Sequence, residues 1–177
     1  MKLDLVRVLR QDYLRNKGNH KSLFILCLFR IANVIYSYKK HNKFIWLLGV
    51  PYLIFYRILV EWLLCVELPY GCKIGAGLII DHGYALVVNR HAVIGENCLL
   101  RNSTTIGCKL DSEGKQLPSP RIGDNVDVGA NAVIIGDIKI GNNVRIGAGS
   151  VVVKDIPDDC VVAGNPARVI RSAPQLS

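Results

Sequence analysis

The sequence predicts a mainly β protein, a solenoid of short strands behind a short helical region, and three observations carry that prediction. The first is a six-residue repeat that runs without a break from Ile122 to Val152. Its aliphatic positions, four of them followed by glycine, are Ile122, Val128, Ile134, Ile140, Ile146 and Val152. A six-residue period fits neither a helix nor a single strand, so each hexad supplies one flat side of a coil and three hexads close it.

The second observation is that the same register continues upstream. It passes through Ile94, Leu100 and Ile106, and before them through Ile74, Ile80 and Leu86. Taken in threes, these positions predict four coils, with the aliphatic side chains stacked inside and the glycines where the chain turns a corner. The register lengthens by two residues between Leu86 and Ile94, and a larger insertion follows Ile106.

The third observation is a change of composition near Leu68, from apolar and basic residues to valine, isoleucine, glycine and asparagine. It divides the chain into a helical region at 1–66, the solenoid at 67–160 and a C-terminal cap and tail at 161–177. The insertion Lys109–Pro120 is polar and contains two prolines and a glycine, which predicts an exposed loop at 109–120. The tail is expected to cover the open edge of the last coil.

Charge and cysteine content limit the possible functions. Residues 1–66 carry 11 Lys and Arg against 3 Asp and Glu, whereas residues 67–177 carry 11 of each, so the whole net charge of +8 lies in the N-terminal third. The six cysteines form no CxxC pair, and no zinc, P-loop, dinucleotide or nucleic-acid recognition motif is present. With no apolar signal-peptide core at the N-terminus, these features predict a reduced, cytoplasmic protein without a metal.

Three helices are predicted in the N-terminal region. An amphipathic helix is expected over Lys2–Arg15, a second over Lys21–Tyr38 and a third over Asn42–Val66, with Pro51 breaking or kinking the third. The longest uncharged run, Phe44–Tyr56, has 13 residues, which is short of the roughly 20 that a bilayer crossing needs. Two interpretations stay open: the helices pack on the solenoid and on neighbouring subunits, or they also rest on the cytoplasmic face of a membrane.

The segment Asp81-His82-Gly83-Tyr84 departs from the repeat. An imidazole can take a proton from a hydroxyl at neutral pH, so His82 is the candidate base, although a structural surface histidine is the simpler alternative. Such a base needs a carboxylate to orient it. Asp81 is expected on the opposite face of the strand, whereas Glu67, fifteen residues before His82, lies about one coil below, and His91 is assigned to a turn.

Three stretches carry a resemblance to a known family. They are Ile74-Gly75 to Asp81-His82, Ala92-Val93-Ile94, and Ile146-Gly147-Ala148-Gly149-Ser150-Val151-Val152 to Gly164-Asn165-Pro166-Ala167-Arg168. They resemble the hexapeptide acyltransferases of the serine O-acetyltransferase type. Within that group, the colanic acid and capsular polysaccharide acetyltransferases are more similar still. The segments that carry this likeness are Asp81-His82-Gly83-Tyr84-Ala85 and Val87-Val88-Asn89.

The resemblance implies a left-handed parallel β-helix, a homotrimer or dimer of trimers, and active sites between subunits. It implies direct transfer from acetyl-CoA to an acceptor hydroxyl, with no metal. By the same resemblance His82 matches the catalytic base, Glu67 the carboxylate that pairs with it, and Asp81 an acceptor-binding carboxylate. The residues that match coenzyme contacts are Ala130, Ala148, Lys154, Arg168 and Arg171. For the three basic ones, a solvated basic end is the alternative.

Two departures bear on the acceptor. Serine acetyltransferases carry a second histidine where this chain has Ser119, and they begin with a longer helical domain than the 66 residues present here. Both favour a sugar hydroxyl in surface-polysaccharide biosynthesis over serine, with Ser119 among the acceptor-binding residues. The alternatives are serine acetylation for cysteine synthesis and a non-catalytic scaffold on the membrane surface.

Overall fold

The computed structural model describes residues 5–172, which form a left-handed parallel β-helix of about five coils preceded by helices. The predicted β-helix is thereby confirmed, but it has about five coils rather than four, because Val66 before the predicted hexads and Ile156 and Val162 after them also stack in the sheets. Residues 1–4, where the helix predicted over Lys2–Arg15 begins, and residues 173–177 of the predicted tail lie outside the described residues.

Each coil places one strand in each of three sheets. The strands are β1 (Val66–Glu67), β2 (Lys73–Ile74), β3 (Ile79–Asp81), β4 (Leu86–Val88), β5 (Val93–Ile94), β6 (Leu99–Arg101), β7 (Thr105–Gly107), β8 (Arg121–Ile122), β9 (Asp127–Val128), β10 (Val133–Ile135), β11 (Lys139–Ile140), β12 (Arg145–Ile146), β13 (Val151–Val152), β14 (Cys160–Gly164) and β15 (Ala167–Ser172). Sheet A contains β1, β4, β7, β10 and β13; sheet B contains β2, β5, β8 and β11; sheet C contains β3, β6, β9, β12, β14 and β15. All pairs are parallel except β14 with β15, an antiparallel hairpin at the C-terminal end of sheet C.

The helices are α1 (Leu5–Arg15), α2 (His20–Ser37) and α3 (Lys43–Tyr56), with a 3₁₀ turn at Tyr38–Lys40 and a π-helix at Arg57–Leu63. The predicted break at Pro51 is wrong, because α3 runs through this residue. The change comes later, at the π-helix, after which the Leu64 N–H donates to the Leu59 carbonyl, five residues back, at 2.9 Å.

This continuity also corrects the expectation that no segment reaches membrane-spanning length. His20–Lys40 and Lys43–Leu63 are each 21 residues of continuous helix, long and apolar enough to cross a bilayer by length and composition alone. Of the most apolar 18-residue stretch in each helix, only 33% and 17%, respectively, is buried inside the protein. Counting uncharged residues in the sequence missed this length because single charged residues do not interrupt a helix.

The two-residue lengthening of the register lies at a different corner from the one predicted. Strand β1 pairs with β4 so that Val66 faces Leu86, and one coil later Val88 faces Ile106. The inward position after Ile80 is therefore Val88, eight residues on, and the next hexads keep their regular length. The extra residues lie between β3 and β4, beside His82, rather than after Leu86.

The repeated glycines are required by close packing between coils. A Cβ on Gly95 would lie 2.5 Å from the carbonyl oxygen of Gly123 in the next coil, which is too close for any side chain. The backbone becomes left-handed two residues after these glycines, where Asn97 and Asn125 have φ of 58° and 57°. Asparagine tolerates this conformation better than most residues with a side chain.

Helices α1 and α2 cover the open edge of the first coil. The Arg30 guanidinium, 2% exposed, pairs with Asp12 at 2.8 Å and donates to the carbonyls of Ile74 and Gly75 at 2.8 and 2.6 Å. Asp12 also accepts from the Gly77 N–H at 2.7 Å. An unpaired edge would otherwise invite pairing with another chain, and these polar contacts satisfy it. No sequence pattern had singled out Arg30 or Asp12.

Candidate active site

His82 lies at the corner where the chain leaves sheet C for sheet A. It follows the last residue of β3 and has φ of 54°, in the left-handed region, so it no longer continues the strand. Its side chain is 78% exposed. Gly83 beside it is buried, and a Cβ there would lie 2.7 Å from Ile80 Cγ2. The corner therefore holds the backbone tightly against the core and leaves the imidazole open to a substrate.

The structure brings Asp81 to His82, contrary to the argument from strand alternation. The Asp81 Oδ2 atom is 3.8 Å from His82 Nε2, because the left-handed backbone at His82 turns its side chain away from the face it would occupy in a continued strand. This distance is too long for a hydrogen bond but close enough for attraction to a protonated imidazole. Asp81 is thus the carboxylate in contact with the candidate base in one chain.

Glu67 lies in sheet A one coil earlier, facing Val87, which is five residues after His82. It belongs to β1, which runs beside β4, and its side chain is exposed between the inward-facing Val66 and Leu68. A Cβ on Gly83 would lie 3.7 Å from Val66 Cγ2, so the backbone beside His82 passes next to Glu67's own strand. Within residues 5–172, no hydrogen bond or ion pair joins Glu67 to His82.

Arg101 extends the site toward the C-terminal coils and was missed by sequence analysis. It faces Asp81 across the β3–β6 pair, with its Nε atom 3.9 Å from Asp81 Oδ2, and it also forms an ion pair with Asp127. The register that aligns Arg101 with Asp81 depends on the two extra residues of the corner. The predicted register also stacks Ile80 on Leu100, so it already aligned Asp81 with Arg101, and this alignment was the signal that could have found Arg101.

A groove of about 330 Å³ begins at Arg101 and follows the edge of sheet C. Ala130 and Ala148, one coil apart, form part of its wall together with Arg145. Neither alanine's N–H donates a hydrogen bond to another described residue, although the Ala130 carbonyl accepts from Gly149 at 2.8 Å. Two free amide N–H groups in a groove with two arginines can bind a carbonyl or phosphate oxygen.

The predicted basic contacts are not gathered at this groove in one chain. Arg171 pairs with Val161, which lines the groove, so it lies at the edge of the groove. Arg168 lies near the start of β15, beside the hairpin turn, and its Nη1 donates to the carbonyl of Ala167 at 3.0 Å. Lys154 is exposed just after β13, where the chain leaves sheet A for sheet B. The structure therefore brings Ala130, Ala148 and Arg171 together and leaves Lys154 on another edge.

Ser119 lies at the base of the insertion, between sheets A and B. The loop Lys109–Pro120 is exposed over most of its length, as predicted, and forms a small hairpin in which Leu110 and Gln116 make a bridge. Ser119 itself is only 6% exposed, and its hydroxyl donates to Asn89 Oδ1 at 2.9 Å. Ser119 and His82 thus occupy different edges of the same solenoid.

His91 lies apart from His82, at a different turn of the solenoid. His91 is exposed in the turn after β4, where its backbone N–H donates to Asn89 Oδ1 at 2.9 Å. Within residues 5–172, no group of three or more His, Cys, Asp or Glu side chains could hold a metal ion.

Known proteins resemble this chain over its full architecture. Residues 119–154 match the bacterial transferase hexapeptide family, six repeats. A putative colanic acid biosynthesis acetyltransferase, WcaB of Escherichia coli (strain K12), is 36% identical over 159 residues, which cover 90% of this chain and 96% of that protein. A serine acetyltransferase of Synechococcus elongatus is 40% identical over 105 residues, which cover 59% of this chain and 42% of that protein.

Solved structures extend the likeness to the helices. The soybean serine acetyltransferase apoenzyme superposes with a TM-score of 0.77 at 28% identity, covering 94% of this chain and 69% of that one. Serine acetyltransferase from Brucella abortus strain S19, in complex with coenzyme A, has a TM-score of 0.77 at 28% identity, with 97% and 70% covered.

Proposed function

Because this chain belongs to the hexapeptide-repeat acetyltransferases, we propose that it transfers an acetyl group from acetyl-CoA to a sugar hydroxyl in surface-polysaccharide biosynthesis. The observation that carries this proposal is the exposed His82, held at a tight corner beside Asp81 and connected through Arg101 to the groove. The relative of nearly equal length, named for colanic acid biosynthesis, supports the choice of acceptor class.

The proposed chemistry needs one base and one set of oxyanion donors. His82 takes the proton of the acceptor hydroxyl while its oxygen attacks the thioester carbonyl carbon. The C–O bond forms, the C–S bond breaks, and His82 returns the proton to the departing thiolate, so that the products are an acetyl ester and free CoA. Glu67 steadies the imidazolium, and Asp81 accepts a hydrogen bond from another hydroxyl of the acceptor. Backbone N–H groups stabilise the developing oxyanion.

The groove beside Arg101 supports a coenzyme A donor. Ala130 and Ala148 present free N–H groups there, and Arg171 at its edge adds a positive charge suited to phosphate. No side chain fits at Gly129 in this wall, since a Cβ there would lie 2.5 Å from the Ala148 nitrogen. The related serine acetyltransferase structure from Brucella abortus is a complex with coenzyme A. We assign Lys154 and Arg168 to the same donor, contributed from a second subunit.

A trimer explains why the candidate residues of one chain lie on different edges. His82 lies where sheet C meets sheet A, whereas Ser119 and Lys154 lie where sheet A meets sheet B. When three prism-shaped subunits pack side by side, an edge of one meets a different edge of the next, so each site would combine His82 of one chain with Ser119 of its neighbour. The same arrangement is compatible with a dimer of trimers in the cytoplasm, where acetyl-CoA is available.

Serine is the second candidate acceptor, favoured by the serine acetyltransferases among the relatives. The position at Ser119 argues against it. A buried hydroxyl already donating to Asn89 offers neither the charge nor the reach of a histidine for holding an amino acid. A sugar needs hydrogen-bonding partners but no counter-charges, which this edge can provide.

The deciding experiment measures thiol release from acetyl-CoA by the purified full-length protein, with free serine, nucleotide sugars and oligosaccharides as separate acceptors. Turnover with a sugar but not with serine is the expected result. Turnover with serine alone would show that serine, rather than a sugar, is the acceptor. An absence of acetyl-CoA binding, measured by calorimetry, would instead favour the non-catalytic scaffold.

A further inference from the structure

The helical region leaves a row of large apolar side chains open to solvent. Along α3 and the π-helix these side chains recur at helical spacing and share an arc of roughly 120° on one face. We call this face the apolar stripe; its members are Phe44, Leu47, Leu48, Ile54, Ile58 and Trp62. Phe44, Leu48 and Trp62 are 70%, 68% and 69% exposed. Soluble proteins rarely expose a contiguous apolar face of this extent unless it binds something.

The opposite face of the same helix anchors it to the rest of the protein. Leu53, Tyr56 and Val60 are buried in the core, and the Tyr56 hydroxyl donates to the Leu68 carbonyl at 2.7 Å. The Tyr52 hydroxyl donates to the Leu28 carbonyl on α2 at 3.1 Å. The helix Lys43–Leu63 therefore lies along the surface of the protein. The apolar stripe faces away from the protein over the whole length of this helix.

Basic residues lie at the end of the apolar stripe where α2 turns into α3. Lys39, Lys40 and Lys43 are exposed there. After Lys43, the charged residues of this helix are Arg57 and Glu61, and these pair with each other at 3.1 Å. The surface thus combines an uninterrupted apolar row with a cluster of three lysines.

The charges favour an anionic lipid surface over a second copy of the chain. Residues 5–65 contain two acidic residues, Asp12 and Glu61. The first is buried against Arg30 and the second is paired with Arg57. A second copy of this face would therefore bring lysines without carboxylates to meet them. Anionic headgroups above an acyl layer offer complements to both the lysines and the apolar row.

We propose that the apolar stripe docks the protein flat on the surface of an anionic membrane. The stripe enters the boundary between headgroups and acyl chains, about 5–10 Å deep, while Lys39, Lys40 and Lys43 contact the headgroups. α2 and α3 stay packed on the solenoid and do not cross the bilayer, since Arg30 and Tyr56 tie them to its first coil. The docking does not depend on which acceptor the enzyme uses.

The test is flotation of the full-length protein with phosphatidylcholine vesicles, with and without phosphatidylglycerol, in the absence of acetyl-CoA and acceptor. We expect binding to the vesicles that contain phosphatidylglycerol, weakened by salt. Each lysine near the surface contributes about fivefold in affinity, so Lys39→Gln with Lys40→Gln should weaken binding about 25-fold. Leu47→Glu with Leu48→Glu should abolish it.

Leu110→Glu is the matched control, because Leu110 and Leu47 are both 61% exposed but Leu110 lies in the insertion loop. It should bind vesicles like the wild type. Failure of the wild type to float with either vesicle would overturn the proposal, and so would undiminished binding by the Leu47→Glu, Leu48→Glu variant. Loss of oligomeric mass in that variant without any vesicle binding by the wild type would show that the face joins subunits instead.

Discussion

Replacement of the two carboxylates around His82 would establish which of them supports the base. Asp81 lies 3.8 Å from His82, but both side chains are partly exposed, and Arg101 at 3.9 Å offsets part of the Asp81 charge. An exposed pair of this kind contributes about 0.2–1 kcal/mol, which corresponds to a factor of about 1.4 to 5 in rate. Asp81→Asn should therefore change kcat by fivefold at most and act mainly on the KM of the acceptor.

Glu67 should have the larger effect on kcat. If its carboxylate accepts a hydrogen bond from the imidazolium in the assembled site, losing that bond costs about 1.5–3 kcal/mol, or roughly 10- to 150-fold in rate. Glu67→Gln keeps the size of the side chain and removes its charge. His82→Ala, which removes the base itself, should lower kcat at least ~10²-fold and leave acetyl-CoA binding unchanged.

The assay is steady-state thiol release, with donor affinity measured by calorimetry. His41→Ala is the control, since His41 is an exposed histidine between α2 and α3 with no part in the proposed site. Loss of activity in Asp81→Asn with little change in Glu67→Gln would show that the carboxylate in contact within one chain is the orienting group. Wild-type turnover by His82→Ala would refute the assignment of the base.

Three further predictions concern stability, thiol reactivity and donor binding. Arg30→Met leaves the Asp12 carboxylate buried without its partner and should lower the free energy of unfolding by about 3–5 kcal/mol in urea titrations; a loss below 1 kcal/mol would contradict this. Burial raises the pKa of the Cys72 thiol to about 12, so at pH 8 it stays protonated. Iodoacetamide should then label the exposed Cys65 and spare Cys72 until the pH rises well above 9, as mass spectrometry would show; equal labelling would disprove the burial. Ala148→Asp puts a negative charge beside the free N–H groups and should raise the KM of acetyl-CoA at least about tenfold, whereas an unchanged KM would remove the groove from the donor site.

The repeat made the solenoid predictable because every inward position must stack on its equivalent in the next coil. Ile122 and Ile140 illustrate this: they pair through adjacent strands of sheet B, and each has lost nearly all its exposure. Such a constraint acts on every coil, so it leaves a visible period. It also located the loop, since a stretch without the period cannot belong to the stack.

Contacts made by outward-facing side chains, or made at only one place in the chain, produce no such period in the sequence. Arg30 resembles any helical arginine in the sequence, and only its buried position against Asp12 and the first coil reveals that it covers an edge. The contact between Asp81 and His82 depends on a left-handed φ at one residue, which the sequence does not encode as a pattern. The continuity of α3 through Pro51 was not predicted, because the local cost of an interior proline is overridden here by tertiary packing.

The candidate chemistry lies where the repeat is interrupted, and there is a physical reason for this. A regular coil presents its outward side chains at equal intervals, so a side chain leaves that arrangement only where the repeat changes. Two extra residues at the corner of His82 release an imidazole from the strand, and the insertion Lys109–Pro120, which contains Ser119, leaves the stack at another edge. One solenoid is too rigid to bring these two edges together, because its stacked core resists bending. Packing of neighbouring solenoids would bring the His82 corner of one chain to the Ser119 edge of another, which supports the proposal that each active site lies between two subunits.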